Sequence, residues 1–435
     1  MSWVAFRRML HDGEFGRLRR WAATFIEFSL VQGVVQLVGV ATGIVVVRLL
    51  ATDDYGLYTI ANSVLGALVV LADGGIGTAT VGIGGRVWQD PARLGGVINT
   101  ARGVMRGLRN AVSVPVAIAF IWLLAKNGAM PIEVSILAVL VLAGGVLSLE
   151  NAIDLTVARL IGNTRLIQVV GLAAAGFRLA AIAALALLGL LVETAMLAIV
   201  LGWAVQWWAT RRWLRDRVPS DGPTDPSVRA ELRSVVTAQL PNCLYFVLQG
   251  QISVWLLSIF GSIRGVADLG AVTRISVVFS VLLATMQNVI VPRYARCQEP
   301  ERLRVLFMQI CAGFAVLVSV PAALVAIAPG PVLWILGPQY AHLSVELVLA
   351  VLGASLGSIV GLTWSLNANK AWFPPSWLWI PLDLGSQLVL MLAIGVSTAR
   401  QVLTVAILAS LVQLTMNLAA GVVFIRRFRR TVSLT

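Results

Sequence analysis

Apolar segments of about membrane-spanning length recur from one end of this 435-residue chain to the other. They fall at about 27–48, 57–85, 109–125, 134–158, 166–191, 194–211, 235–261, 269–292, 305–328, 345–368, 376–397 and 402–425. A bilayer needs about 20 apolar residues of helix per crossing, so the pattern predicts an all-α polytopic membrane protein with about twelve transmembrane helices. Composition agrees. Hydrophobic residues make up 58% of the chain, charged residues 12%, and mean hydropathy is +0.88. Soluble domains carry about 25% charged residues, which excludes a water-soluble enzyme and leaves no room for a large extramembrane domain.

The basic residues set the orientation. Lys and Arg total 33 against 20 acids, and only Lys126 and Lys370 are lysines. With the N-terminus inside, 27 basic residues fall on the cytoplasmic side and four, Arg48, Lys126, Arg264 and Arg400, on the other. That asymmetry is the positive-inside signal and puts both termini in the cytoplasm. It also explains the net charge of +13 without nucleic acid, for which no helix-turn-helix, zinc-knuckle or aromatic-basic signature is present. Cys243, Cys297 and Cys311 are far apart, and with only His11 and His342 the spacing assembles no metal site or disulfide framework. There is no GxxxxGK[ST] phosphate loop and no GxSxG elbow. The sequence therefore predicts no enzyme activity and no cofactor, with any transport driven by an ion gradient, the membrane potential or mass action.

The organisation reads as five parts. Residues 1–26 form a basic amphipathic segment, expected as a retained interfacial helix. Residues 27–211 form a first six-helix bundle, 212–234 a cytoplasmic linker rich in Pro, Asp and Gly, 235–425 a second six-helix bundle, and 426–435 a basic tail. Each half starts from the same side, so any repeat between them has parallel topology. A weak one is present: Asp54-Tyr55-Gly56 matches Asp268-Leu269-Gly270 at an offset of 214.

Ionisable groups at bilayer depth are costly and point to function. Arg178 lies near the middle of span five, suited either to an anion or to a buried ion pair with an acid such as Asp73 or Asp154. Arg274 lies within span eight. Glu150 and Asp154, four apart on one face of span four, are ion-coupling candidates or a solvated face. Asp73 and Asp383 are single acids in spans two and eleven, each either the partner of an arginine or an ion-coupling candidate. Polar stripes run along span seven (Gln239, Asn242, Gln249, Ser253), span one (Gln32, Gln36, Gly39, Gly43) and span twelve (Ser410, Gln413, Asn417). Together they predict a hydrated central cavity. Trp207, Trp208 and Trp213, and Trp372, Trp377 and Trp379, are expected in interfacial belts.

Several stretches resemble one family. Val47-Arg48-Leu49-Leu50 followed by Tyr55-Gly56-Leu57-Tyr58, Asp73-Gly74-Gly75-Ile76-Gly77, Ile290-Val291-Pro292-Arg293-Tyr294-Ala295 and Gly337-Pro338-Gln339-Tyr340 are similar, in order, to motifs of the polysaccharide flippases. These carry undecaprenyl-linked O-antigen and exopolysaccharide units, within the multidrug/oligosaccharidyl-lipid/polysaccharide exporter superfamily. Leu269-Gly270-Ala271-Val272 departs from the Gly-x-Tyr of many relatives. The resemblance implies two six-helix bundles in a bacterial inner membrane and an alternating-access cavity. It also implies a polyprenyl-diphosphate oligosaccharide as substrate, and a polysaccharide polymerase and chain-length regulator as partners. Arginine suits the diphosphate because its planar fork donates in pairs. Arg178 is the first candidate, Arg274 the second, and Arg48 falls where the motif lies. Gln36, Gln249 and Asn242 are candidates for the sugar.

Three other readings share parts of the pattern. A drug or metabolite exporter of the same superfamily would use Asp73, Glu150 or Asp154 for proton or sodium coupling. A twelve-span facilitator would share the six-plus-six plan, but its Gly-x3-Asp-x-x-Gly-Arg signature is absent. A non-transporting scaffold would have no use for a buried Arg178.

Overall fold

The computed structural model describes residues 31, 33–161, 163–215, 217–218, 225–291, 294, 299–368, 370 and 376–432. The expected interfacial helix at 1–26, Gln32, Cys297, Trp372 and the Pro292-Arg293 part of one motif lie outside them. The described residues form α1 (Gly33–Leu49), α2 (Thr52–Asp73), α3 (Ile76–Gly84), α4 (Pro91–Lys126), α5 (Pro131–Leu160), α6 (Thr164–Ala186) and α7 (Val192–Arg215). The second half continues with α8 (Pro226–Phe260), α9 (Ile263–Thr273), α10 (Val277–Val289), α11 (Pro300–Ile327), α12 (Pro329–Leu336), α13 (Ser344–Ala368), α14 (Ser376–Ile394) and α15 (Ala399–Val432). Eleven helical stretches are long and apolar enough to cross a membrane, with Gly33–Leu49 as a shorter twelfth. Spans two and eight are each two helices in line, α2–α3 and α9–α10.

Four helices start in the same way. Proline stands at the first helical position of α4, α5, α8 and α11, where its missing N–H costs nothing and its fixed φ suits the helix. Asp90 and Asp225 precede two of these prolines, and their carboxylates accept from Ala92 N at 3.0 Å and Ser227 N at 2.8 Å. At α5 the Glu133 carboxylate reaches back to Met130 N at 2.7 Å. These caps place the helix ends further out than the apolar stretches do. α7 continues to Arg215 and α8 begins at Pro226, so much of the segment read as a linker, 212–234, is helix standing beyond the apolar zone.

Helix pairing repeats between the halves. In the first half α2 packs on α5, α5 on α7, α6 on α7 and α4 on α5. In the second, α9 and α10 pack on α13, α13 on α15, α14 on α15 and α11 on α13. Span for span these are the same four contacts, as a parallel repeat requires. The glycines of the weak motif give the repeat a physical meaning. A Cβ on Gly56 would lie 2.6 Å from the Ile263 carbonyl oxygen, and one on Gly270 would lie 2.5 Å from Thr59 Oγ1. Each half thus contributes one glycine to the crossing of α2 and α9.

The two halves are joined at the end opposite the arginine-rich face. Asn127 Nδ2 donates to Ser258 Oγ at 2.7 Å, and Lys126 Nζ donates to the Ile259 carbonyl. Gln339 Nε2 donates to the Val47 carbonyl at 2.8 Å, and Arg264 pairs with Asp53 at 3.4 Å. Tyr340 is fully buried with its ring 6.3 Å from that of Tyr55, so two residues of the family-like motifs meet here.

Span two breaks after Asp73. Gly74 and Gly75 adopt φ of 51° and 87°, a region that glycine enters without steric cost. The Asp73 carboxylate accepts from Gly75 N at 3.2 Å and Gly77 N at 3.1 Å. Asp73, expected as the partner of an arginine or as an ion-coupling acid, pairs with no arginine among the described residues and accepts these two N–H groups where the helix restarts as α3.

Candidate transport site

The most unusual polar group is Asp383 on α14. It is fully buried and lies about 10 Å along the helix from its start at Ser376. One carboxylate oxygen, Oδ2, accepts from four donors on three helices. These are Tyr245 Oη at 2.9 Å and Gln249 Nε2 at 2.8 Å from α8, Gln387 Nε2 at 2.9 Å from α14, and Gln413 Nε2 at 3.1 Å from α15. The other oxygen, Oδ1, is buried with no hydrogen-bond partner. Among the described residues no cationic side chain pairs with Asp383. Burying a carboxylate without a counter-charge is expensive, and the chemistry that relieves it is a proton on Oδ1 or a bound cation.

Two cavities meet at this layer. One of about 410 Å³ runs from Gln249, Gln387 and Gln413 toward Leu256, Val396 and Val402 at the far face. The other, about 180 Å³, runs from Gln249 and Gln413 toward Trp364, Trp379 and Asn417 at the arginine-rich face. Both are lined by the second half alone. Three expectations are corrected here. Gln249, Ser253, Ser410 and Gln413 face a space inside one half, and not one between halves; helical periodicity marks a polar face without saying which helices it meets. Asn242 is half-buried and nearest Gln239 at 3.5 Å, away from this layer. Trp379 is 6% exposed, its ring 5.6 Å from that of Trp364, whereas Trp377 is 76% exposed. Trp379 therefore closes the cavity floor and is not part of an interfacial belt.

The arginine candidates separate into two groups. Arg178 and Arg274 come one from each half, and Arg274 approaches Tyr58. Arg274 lies with its guanidinium 5.8 Å from the Tyr58 ring centre and donates from Nε to Tyr55 Oη at 3.2 Å. It stands in a short 3-10 turn, Arg274–Ser276, between α9 and α10, against Gly43 of α1. Arg178 lays its aliphatic stem over Gly202 of α7. Among the described residues Arg178 has no ion pair, so the buried-pair reading with Asp73 or Asp154 is overturned: both acids are engaged elsewhere. Arg48, by contrast, is at the far face, donating to the Trp334 carbonyl at 2.6 Å with its guanidinium 5.3 Å from the Trp334 ring. It pins α12 to the end of α1. Gln36 is exposed on α1.

Glu150 and Asp154 form an ion cluster at the arginine-rich end of the first half. Arg102 of α4 binds Asp154, and its Nε lies 3.5 Å from Glu150. Arg106 approaches Glu150 at 3.4 Å, and Arg211 of α7 approaches Glu150 at 3.7 Å and Asp154 at 4.0 Å. The pair is thus neither a free ion-coupling site nor a solvated face. Two carboxylates four residues apart tolerate each other because buried guanidinium charge lies between them. Sequence reasoning missed Arg102, Tyr245 and Gln387. Gln387 follows Asp383 by four residues and Tyr245 precedes Gln249 by four, so helical spacing carried a signal for both.

Compared with known proteins, the chain matches no family model and no curated protein sequence. Solved structures do match its fold. The inward closed conformation of the lipid II flippase MurJ superposes with a TM-score of 0.74 at 8% identity, over 91% of this chain and 87% of that one. An inward-facing multidrug resistance MATE family transporter of the MOP superfamily gives 0.67 at 17% identity, over 93% of this chain and 99% of that one. An outward-facing transporter of the same description gives 0.59 at 18%, over 93% and 95%. The all-helical architecture in two six-helix halves is therefore the fold of these solved structures.

Proposed function

We propose that this chain is a multi-pass transporter of a bacterial inner membrane. In this reading it flips a polyprenyl-diphosphate-linked oligosaccharide from the cytoplasmic to the outer leaflet by alternating access. The observation that carries the reading is one guanidinium from each half with no ion-pair partner among the described residues, Arg178 over Gly202 and Arg274 on Tyr55 Oη. A diphosphate crossing a bilayer must exchange its water for donors that do not themselves carry a bound counter-ion, and Arg178 is such a group. The closed far end and the higher TM-score with the inward-facing than with the outward-facing MATE structure support an inward-facing state, with the arginine-rich face as the cytoplasmic one. The arginine pair then sits toward the closed apex of the access route. Sugar would be met by amides such as Gln36 and Asn242, and the polyprenyl tail would stay in lipid. A polymerase and a chain-length regulator would take the product.

Asp383 supplies the coupling. Its free oxygen in a layer of amides would take up a proton or a cation on one side of the cycle and release it on the other. In strains lacking the protein, the lipid-linked precursor should still form while surface polysaccharide is lost. Asp383→Asn, which keeps the shape and removes the charge, should leave the protein abundant and abolish the dependence of flipping on the ion gradient. An unchanged surface polysaccharide together with raised drug sensitivity would replace this reading. The second reading, an ion-coupled small-molecule exporter, is favoured by that same Asp383 layer and by the likeness to multidrug transporters.

A further inference from the structure

A separate cavity of about 140 Å³ opens at the arginine-rich end of the first half, between α4, α5 and α7. Ile98, Val157 and Leu214 wall it on the apolar side, and Arg102, Arg211 and Arg215 supply its polar lining. No carboxylate lines it. The volume is close to that of an engineered cavity that holds a benzene molecule, about 150 Å³, so a phosphate group fits.

Among the described residues the charges around it do not balance. Arg102, Arg106 and Arg211 face Glu150 and Asp154, which leaves one positive charge over, and Arg215 adds another. The two acids are also poorly shared. Arg102 binds Asp154 directly and is itself buried, whereas Arg211 stands 3.7 Å and 4.0 Å from the two carboxylates, beyond hydrogen-bond distance. Among the described residues Arg215 has no hydrogen-bond or ion-pair partner. The Arg215 guanidinium is thus free at the mouth of the cavity and Arg211 is held there only by long ion pairs, while the buried Arg102 fixes its inner wall.

The helix end carrying these residues is arranged for the depth of lipid headgroups. Three arginines lie over tryptophans four residues back: Arg211 is 5.8 Å from the Trp207 ring centre, Arg212 5.8 Å from Trp208, and Arg217 4.1 Å from Trp213. Cation–π contact holds each guanidinium beside an indole, and tryptophan settles at the membrane–water interface. From the cavity, the charge excess and this depth, we propose that the Arg102–Arg211–Arg215 pocket is a phosphate-binding site, occupied by the phosphate of an anionic lipid headgroup or by free phosphate. Its lining comes from α4, α5 and α7 of the first half and includes neither Arg178 nor Arg274, the arginines of the substrate route proposed above. The bound anion would neutralise the excess charge and tie α4 to α7.

The test is thermal unfolding of the full chain purified in nonionic detergent, with phosphatidylglycerol, phosphatidylcholine or inorganic phosphate added, each at matched ionic strength. Phosphatidylglycerol should raise the melting temperature, and phosphatidylcholine, whose choline cancels the charge, should raise it much less. In Arg215→Gln the fold loses no partner, so melting in detergent alone should be unchanged. About tenfold more phosphatidylglycerol should then be needed for the same shift, the loss of one charge-assisted contact. Arg211→Gln should behave alike from a lower starting point. Protection by inorganic phosphate alone, lost in the same variants, assigns the site to free phosphate; protection by the lipid alone assigns it to the headgroup. Equal protection of wild type and both variants, equal protection by phosphatidylcholine, or no protection by either phosphate source overturns the proposal.

Discussion

Replacing Gly56 by alanine tests whether the crossing of α2 and α9 is the seam that opens. The added Cβ would lie 2.6 Å from the Ile263 carbonyl oxygen and 2.7 Å from two carbons of the Ile263 side chain. A backbone oxygen cannot swing aside as a side-chain tip can, so the helices must part by several tenths of an ångström. Overpacking of this kind costs about 1–3 kcal/mol. α2 and α9 belong to different halves, so the cost falls on the state in which their ends touch. A state in which the ends separate carries none of it. The equilibrium should therefore move toward the open far end by about 5- to 150-fold. Gly270→Ala offers an internal comparison. Its Cβ would meet Thr59 Oγ1 at 2.5 Å, an atom that rotates away, and the shift should be smaller. The assay is labelling of a cysteine at position 258 by a membrane-impermeant maleimide added from the outer side, in a background free of Cys243, Cys297 and Cys311. Ser258 is 2% exposed beneath the Asn127 contact, so labelling in the parent should be slow. Gly56→Ala should speed it by the factor above. A labelling rate unchanged while the melting temperature falls would show that both states absorb the clash equally, and the seam would have to be sought elsewhere.

Arg102→Ala should be strongly destabilising, by about 3–5 kcal/mol, because Asp154 is fully buried and would keep an unpaired charge; reduced abundance of folded protein in membranes is the readout, and Arg102→Ala with Asp154→Asn should recover part of it. Arg178→Ala should leave abundance near normal, since no acid depends on it, while flipping by the reconstituted protein falls about 10- to 100-fold for the loss of a charge-assisted contact. Arg178→Lys should fall between the two. Asp225 caps α8 at the surface, and its hydrogen bonds from Ser227 hold its carboxyl below the usual carboxylate range. A depressed folded pKa contributes stability that is present at neutral pH and lost as pH falls through that lowered value. Amide exchange in the first turn of α8 should therefore accelerate at acid pH, and Asp225→Asn should remove that pH dependence.

The spans were legible because hydropathy is a local property, and the repeat was legible because Gly56 and Gly270 each answer a close approach that recurs. The site was only half legible. Asp383 stood out as a lone acid in an apolar segment, and Gln249 and Gln413 as members of polar stripes. Their meeting on one oxygen depends on which helices are neighbours, and periodicity within a helix holds no such information. The same gap explains the acids of the first half. Glu150 and Asp154 read as an unneutralised pair because Arg102 lies 52 residues from Asp154 and is one of many arginines near the cytoplasmic ends. The partners of Asp73 were hidden for a different reason. Its partners are backbone N–H groups of Gly75 and Gly77, and an acid just before two glycines is a helix-restart signal in its own right.

The repeat that aligns the backbones does not align the chemistry. The offset of 214 residues that carries Gly56 onto Gly270 carries Val169, an exposed aliphatic residue, onto Asp383. If the halves descend from one duplicated ancestor, they have since specialised. The first has become an anchor whose buried acids are committed to its own arginines, and the second has kept a buried carboxylate with no cationic partner among the described residues. A chain built from two copies of the first half would then assemble with the right shape and have nothing to titrate. Two copies of the second would carry two titratable carboxylates but lack the anchor. Neither homodimer would combine the anchor with a single unpaired carboxylate, a combination that only the unequal halves of one chain supply.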